Sequence, residues 1–151
     1  FGEIFAVLFP GGTGELVLAE SEEDEELGVE VVAHPKGKKI TKLSTMSGGE
    51  QSLVALALLF AIYRTRAVPF YILDEVEAAL DDSNLVRLIA YLDSMREDTQ
   101  LILVTHQRRT MEMADCLYGV TMQASGVTKL VSQRLEDAVR GLEQQSAQEQ
   151  G

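Results

Sequence analysis

The sequence predicts an α/β fold in which a parallel α/β layer is preceded by an antiparallel β meander. Three observations carry that expectation. Short strand-like segments punctuated by turn residues fill the chain to about residue 43, strand and helix patterns alternate through residues 47–115, and two closed apolar runs in that second stretch have strand length. Alternating strand and helix implies parallel pairing with right-handed crossovers.

Taken in order, Ile4-Phe5-Ala6-Val7-Leu8-Phe9 reads as a strand ended by the turn Pro10-Gly11-Gly12. Glu15-Leu16-Val17-Leu18-Ala19-Glu20 and Val29-Glu30-Val31-Val32-Ala33 interleave polar and apolar residues, the half-buried strand pattern. The acidic stretch from Glu20 to Glu26 between them is too charged to pack and reads as a solvated hairpin tip. His34-Pro35-Lys36-Gly37-Lys38-Lys39 is a further turn, leading to a strand over 40–43. Residues 50–64 are continuous helix-forming sequence, apolar all round from Leu53 to Tyr63, which demands burial on most faces. Pro69-Phe70-Tyr71-Ile72-Leu73 has the composition of a central parallel strand covered on both sides. A helix over 83–95 carries Leu85, Leu88, Ile89 and Leu92 on one stripe. Residues 100–105 form a second buried strand, 110–114 a short helix, and 117–122 and 127–134 two closing strands. The Gln- and Glu-rich residues 136–151 are expected to fray.

Composition bounds the function classes. The 151 residues carry 24 Asp+Glu against 13 Lys+Arg, a formal net charge of -11, which counts against a stand-alone nucleic-acid binder. Residues 20–26 carry six acids and no base and residues 136–151 four acids and one base, so most of the acidity lies in the hairpin tip and the tail, outside the motifs. One Cys excludes an internal disulfide framework or zinc-ribbon spacing and suits a reducing compartment. The longest apolar run, Leu53 to Tyr63, is short of the roughly 18–20 residues that cross a bilayer. The chain opens on Phe1-Gly2-Glu3 with no initiator Met and no basic leader, the pattern of a fragment.

In open α/β sheets, ligands collect at the carboxyl ends of the parallel strands. The first apolar strand ends in Asp74-Glu75, the Walker B arrangement: a rigid strand end where Asp74 can hold Mg²⁺ through a water, followed by Glu75 able to orient and deprotonate an attacking water. An acidic helix start stabilised by the dipole has the same sequence. Ser47-Gly48-Gly49-Glu50 opens the long helix, where glycines let backbone N–H groups approach an anion and Ser47 adds a hydroxyl; an N-cap with a turn has the same sequence. His106, after the second strand, suits a hydrogen bond to a γ-phosphate or to attacking water, and equally a structural role. Leu80-Asp81 lies where a short turn carries Asp81 back to the same site, or where Asp81 caps the next helix.

Ser-Gly-Gly before an apolar helix, a strand with Asp-Glu, Leu-Asp, and a strand with His form one ordered set. That set resembles the C-terminal half of an ATP-binding-cassette-type ATPase head, matching its signature loop, Walker B motif, D-loop and switch histidine. Met46-Ser47-Gly48-Gly49-Glu50, the helix from Leu53 to Ala61, the stretch from Pro69 to Asn84, Val104-Thr105-His106-Gln107 and the segment from Met111 to Met122 narrow the resemblance to a structural maintenance of chromosomes (SMC) protein, in its bacterial form. Met46 stands where Leu is usual, Gln51 where Lys is common, and Glu77 where Asp is frequent.

The resemblance implies a C-terminal head lobe over residues 1–135 (meander over 1–44, motifs and closing strands over 45–135), followed by the polar tail 136–151. In SMC proteins the head is assembled from the two ends of one long chain joined through a coiled coil. No G-x-x-x-x-G-K-[ST] phosphate loop occurs here: Gly11-Gly12-Thr13-Gly14 lacks the Lys, and Lys36-Gly37-Lys38 lacks the glycine spacing. These residues alone are therefore expected to bind ATP poorly and not to turn it over. The implied cofactors are ATP and Mg²⁺. Asp74 (metal) and Glu75 (catalysis) would serve the head's own nucleotide, with His106 as a further catalytic residue and Leu80-Asp81 as the D-loop, while Ser47, Gly48 and Gly49, with Glu50, would meet the nucleotide of an opposite head.

Implied partners are the N-terminal head lobe of the same chain, a second SMC head, the winged-helix domain of a kleisin, and DNA through the full complex, with no membrane partner. Location would be cytoplasmic, on the nucleoid. Lys36, Lys38, Lys39 and Lys42 suit either a DNA contact or a solvated basic turn. A head lobe of a RecN- or RecF-like repair ATPase, a transporter cassette and a non-catalytic scaffold remain as alternative readings.

Overall fold

Ser47, Gly49 and Pro69 punctuate the chain where its secondary structure changes, and the elements follow that punctuation. The computed structural model describes residues 1–20, 27–37, 43–66, 68–122 and 126–134. Two compact units result, Phe1–Val104 and Thr105–Gly151. The first holds α1 (Gly2–Leu8), β1 (Thr13–Glu20), β2 (Leu27–His34), a 3₁₀ turn (Leu43–Thr45), α2 (Gly48–Arg64), β3 (Phe70–Asp74), α3 (Asp82–Met95) and β4 (Gln100–Val104). The second holds α4 (Arg108–Glu112), β5 (Cys116–Met122) and β6 (Thr128–Arg134).

The pairing is mixed, as the α/β reading requires. β1 and β2 pair antiparallel from Thr13↔His34 to Glu20↔Leu27, and β5 and β6 antiparallel from Cys116↔Arg134 to Met122↔Thr128. β3 and β4 pair parallel, in register from Phe70↔Gln100 to Asp74↔Val104, with α3 as the crossover. That register brings the ends of both strands, Asp74 and Val104, level with one another.

The first element corrects the sequence reading. Residues 4–9 are not a strand: α1 runs Gly2–Leu8. A six-residue apolar run does not separate strand from buried helix by itself. The deciding spacing is Phe1, Phe5 and Phe9, whose rings contact in series at 5.7 and 4.5 Å between centroids, with Ile4, Phe5 and Leu8 forming a buried stripe. The expected meander is therefore a β1–β2 hairpin behind a helix. Residues 38–42 and the acidic tip 21–26 lie outside the described residues, as does the tail 135–151, and Leu43, expected to end a strand, opens the 3₁₀ turn.

The core of the first unit forms where α1 packs on α2 and α3. Leu53, Val54, Leu56, Ala57 and Phe60 of α2 and Leu85, Leu88, Tyr91 and Leu92 of α3 are buried there, and the Phe60 and Tyr91 rings lie 5.1 Å apart. Burial raises the Tyr91 phenol above the usual 10.0, opposed by the Arg64 charge and helped by Tyr71.

The two coverage expectations divide. From Leu53 to Tyr63, α2 is buried or half-buried everywhere except at Ala55 and Ile62, as its all-round apolar composition demands. The β3–β4 layer is covered on one face only: Leu73 is buried, while Phe70, Ile72, Ile102 and Val104 are 48%, 63%, 42% and 50% exposed. The exposed residues share one face because side chains alternate along a strand. Apolar composition specified the strands correctly, yet these residues do not themselves supply the second cover.

Leu88→Ala, at the centre of this core, is expected to destabilise the protein by about 2–5 kcal/mol in denaturant unfolding. Val86→Ala, on the exposed side of the same helix, should change stability by less than about 0.5 kcal/mol.

Candidate functional site

The start of α2 is built by a reciprocal cap. Ser47 is extended (φ -63°, ψ 155°), its Oγ accepts from the Glu50 N–H at 3.3 Å, and Glu50 Oε2 accepts from the Ser47 N–H at 3.0 Å. The Ser47 hydroxyl also donates to Glu50 Oε2 at 3.2 Å. This is the capping box, and it fixes the Ser-Gly-Gly-Glu loop against the helix axis. Gly48 and Gly49 occupy the first turn, whose N–H groups have no carbonyl partner inside a helix and face the positive end of its dipole. Upstream, Gln51 Nε2 donates to the carbonyls of Leu43 (2.9 Å) and Met46 (3.1 Å), tying the 3₁₀ turn to the helix. Met46 is itself buried. The two residues that depart from the usual pattern around this loop therefore both anchor it.

The two glycines answer different demands. A Cβ on Gly48 would meet nothing within 4 Å. A Cβ on Gly49 would lie 3.1 Å from Asn84 Nδ2, 3.1 Å from Asp81 Oδ2 and 3.4 Å from the Asp81 nitrogen. Gly49 is thus the point where the α2 loop and the start of α3 touch.

At the end of β3, Asp74 and Glu75 are both exposed. Glu75 has φ 45°, a left-handed conformation that costs a non-glycine residue about 1–2 kcal/mol. Its N–H donates to the Val104 carbonyl at 2.9 Å, so the pairing with β4 continues one step beyond the strand while the chain turns. Two turns follow, closed by Ala78 N–H to Glu75 O (3.0 Å) and Leu80 N–H to Glu77 O (2.9 Å). Glu77 is buried while its neighbours Ala78 and Ala79 are exposed. The turns deliver half-buried Leu80 and then Asp81, the N-cap of α3 (φ -75°, ψ 166°). Asp81 Oδ1 accepts from the Asn84 N–H at 2.9 Å and Oδ2 from Asn84 Nδ2 at 3.0 Å.

Of the residues singled out in the sequence, the structure brings Gly49 against Asp81, and with them the Ser47–Glu50 loop and the Leu80–Asp81 turn. Asp74 and Glu75 stand at the carboxyl end of the same unit's parallel pair. His106 falls in the second unit, exposed, two residues after Val104. Its backbone is framed by the Gln107 N–H, which donates to Thr105 Oγ1 at 2.9 Å. Sequence reasoning passed over three features: Asn84, Arg87 behind it, and the left-handed Glu75. The Asp81-x-x-Asn84 spacing, N-cap to third helical position, was the available signal for the first.

No group of three or more His, Cys, Asp or Glu among the described residues could cage a metal ion. An exposed lone Asp74 fits a cation that keeps most of its ligands as water or phosphate oxygens, which is the habit of Mg²⁺.

Comparison with known proteins places these features in a family. The model of the RecF/RecN/SMC N terminal domain matches residues 22–129. The chromosome partition protein Smc of Mycolicibacterium paratuberculosis is 57% identical over 135 residues, 89% of this chain and 11% of that protein. This chain spans about a tenth of the length of the curated relatives it matches. A solved SMC ATPase, described for ATP-driven dimerization and DNA stimulated activation, matches with a TM-score of 0.80 at 40% identity, covering 95% of this chain and 86% of that one. The Smc head of Pyrococcus furiosus with an extended coiled coil, bound to the C-terminal domain of ScpA, gives 0.76 at 41% identity, covering 95% and 36%.

The glycine geometry makes a paired prediction. Gly48→Ala, into open space within a helix, should be neutral or stabilising by up to about 1 kcal/mol. Gly49→Ala should destabilise by about 1–3 kcal/mol, because the Asp81–Asn84 pair it would strike is held by two hydrogen bonds. Thermal unfolding of the two variants side by side checks both signs.

Proposed function

The chain belongs to the structural maintenance of chromosomes (SMC) family, and on that premise we propose that it is the C-terminal half of an SMC ATPase head, which binds and hydrolyses ATP once joined to the N-terminal lobe. The observation that carries this reading is the meeting of the Ser47–Glu50 loop with the Leu80–Asp81 turn through Gly49, in a unit whose parallel pair ends in exposed Asp74-Glu75. The matching family model is described as an N-terminal domain, whereas these residues contain no phosphate loop and hold the motifs that follow it in a cassette ATPase. Lobe identity therefore rests on motif order. The uncovered β3–β4 face supports the same assignment, since Phe70, Ile72, Ile102 and Val104 offer an apolar surface for the missing lobe.

In this reading Asp74, fixed by β3, would be the residue that holds Mg²⁺. Mg²⁺ bound there would supply positive charge against the phosphate oxygens. Glu75 orients and deprotonates the attacking water. Its backbone is pinned on both sides, by the strand before it and by the Val104 carbonyl, so its carboxylate leaves the sheet in a defined direction. His106 hydrogen-bonds the γ-phosphate or the attacking water.

Ser47, Gly48 and Gly49 present the hydroxyl and first-turn N–H groups to a γ-phosphate held by a second head, so ATP joins two heads and hydrolysis releases them. Asp81 belongs to the same face. Both of its carboxylate oxygens are occupied by Asn84, so its part in the D-loop is to shape the backbone there. Chromosome partition follows from the curated relatives. A kleisin winged-helix domain is the partner suggested by a solved Smc head bound to the C-winged helix domain of ScpA, and DNA would be engaged through the complete complex.

In the full-length protein, Glu75→Gln should lower ATP turnover by a factor on the order of 10²–10⁴, the usual contribution of a general base, while heads still associate in ATP. Unchanged turnover would remove Glu75 from that role. Ser47→Arg should abolish ATP-dependent head association measured by analytical ultracentrifugation and leave ATP binding by a single head intact; a dimer that survives would refute the trans contact.

A further inference from the structure

Behind the Gly49–Asp81 contact runs a continuous line of side chains. Asn84 is buried, and both ends of its amide are engaged: Nδ2 donates to Asp81 Oδ2 at 3.0 Å, and Oδ1 accepts from Arg87 Nη1 at 3.2 Å. Asp81 can only accept and Arg87 can only donate, so the amide has one orientation that satisfies both partners. Arg87, half-buried one turn along α3, places its guanidinium carbon 5.9 Å from the centroid of the Phe9 ring. Phe9 is buried at the end of α1 and stacked at 4.5 Å on Phe5. The same Asn84 Nδ2 is one of the two atoms that a Cβ at Gly49 would strike at 3.1 Å.

We propose that Asn84 and Arg87 are positioning residues for ATP-dependent head association: Arg87, held on the Phe9 ring, fixes the Asn84 amide, and that amide fixes the relative placement of the Ser47–Gly49 loop and the Leu80–Asp81 turn. The inference rests on the reading of those two loops as the surface that meets a second head. Removing the guanidinium takes the charge-assisted partner from Asn84 Oδ1 and leaves the buried amide anchored at one end only, by Nδ2 on Asp81 Oδ2. Held by that single bond, the amide no longer has a fixed tilt beside Asp81 and the backbone of Gly49. The two loops then lose their common fixed point, while Asp74 at the end of β3 and Glu75, bonded to the Val104 carbonyl, keep theirs. The defect should therefore appear in association and in turnover, with single-head ATP binding spared.

Two variants in the full-length protein test this. Arg87→Ala removes the outer link from a half-buried position. Asn84→Asp keeps the volume but sets a carboxylate against Asp81. Each is expected to weaken ATP-dependent head association, read by analytical ultracentrifugation, by about tenfold, the scale of one lost charge-assisted hydrogen bond. Each should lower kcat in parallel and leave the single-head Kd for ATP within about twofold. Arg87→Lys, which retains a cation over Phe9 and one donor, should recover part of the loss.

Association at the wild-type level in Arg87→Ala overturns the inference, and so does loss of ATP binding together with association, which would make the pair a folding element. If Asn84→Asp fails to fold, shown by a collapsed thermal transition, Arg87→Ala and Arg87→Lys decide. Ser47→Arg run alongside separates the two levels of failure. If Ser47→Arg still associates, the reading of the loop falls. If it does not, while Arg87→Ala associates normally, only the present inference falls.

Discussion

The Asp81 carboxylate, with each oxygen committed to a donor of Asn84, is the contact on which the candidate site depends. It caps α3, it ends the turn that leaves β3, and together with Asn84 it lies within 3.1 Å of where a Cβ at position 49 would stand. The start of α3, the turn before it and a loop more than thirty residues earlier are set by one polar pair, exposed Asp81 with buried Asn84. A half-satisfied pair of this kind is costly, which is why such networks specify one geometry rather than several. Its neighbour at the other strand end works by a different device: Glu75 is held in a left-handed conformation by the β4 carbonyl that receives its N–H. Strain of this order survives only where surrounding bonds over-determine the backbone.

The second constraint is the unfinished layer. Strands rich in Ile, Leu, Val and Phe read as buried on both sides, and β3 and β4 have that composition. One face nevertheless remains open, and α2 likewise exposes Ile62. Among the described residues, the apolar surface of β3–β4 and the absence of a phosphate-loop motif have one explanation under the proposed function. The lobe that would cover the sheet is the lobe that would carry the loop. Packing and chemistry would then be completed by the same partner.

Much of this architecture was legible in the sequence. α2 and α3 announce themselves through long helix-forming patterns and cap residues at Ser47 and Asp81, and β3 and β4 through five-residue apolar strands with polar ends. α1 was misread, because six apolar residues before a turn satisfy either period, although the i, i+4 spacing of Phe1, Phe5 and Phe9 was a helical signal present in the sequence. The position of Gly49 against Asp81 was only half legible. Asp81 as a cap follows from local chemistry, but the close approach of a loop more than thirty residues earlier does not. Asn84 signalled itself only through its spacing from the Asp81 cap, and Arg87 not at all, since polar residues at the start of a helix ordinarily face water. Whether a strand is covered on both faces is not a property of its own residues at all when the covering element comes from elsewhere.

The central claim is that this chain holds one half of an ATPase site. ATP turnover measured for this chain alone, for the segment bearing the phosphate loop alone, and for the two mixed tests it most directly. The account predicts background rates for each part and hydrolysis in the mixture that disappears when Glu75→Gln replaces the wild-type chain. Turnover by this chain alone, or a mixture no faster than its parts although the two bind, would contradict it.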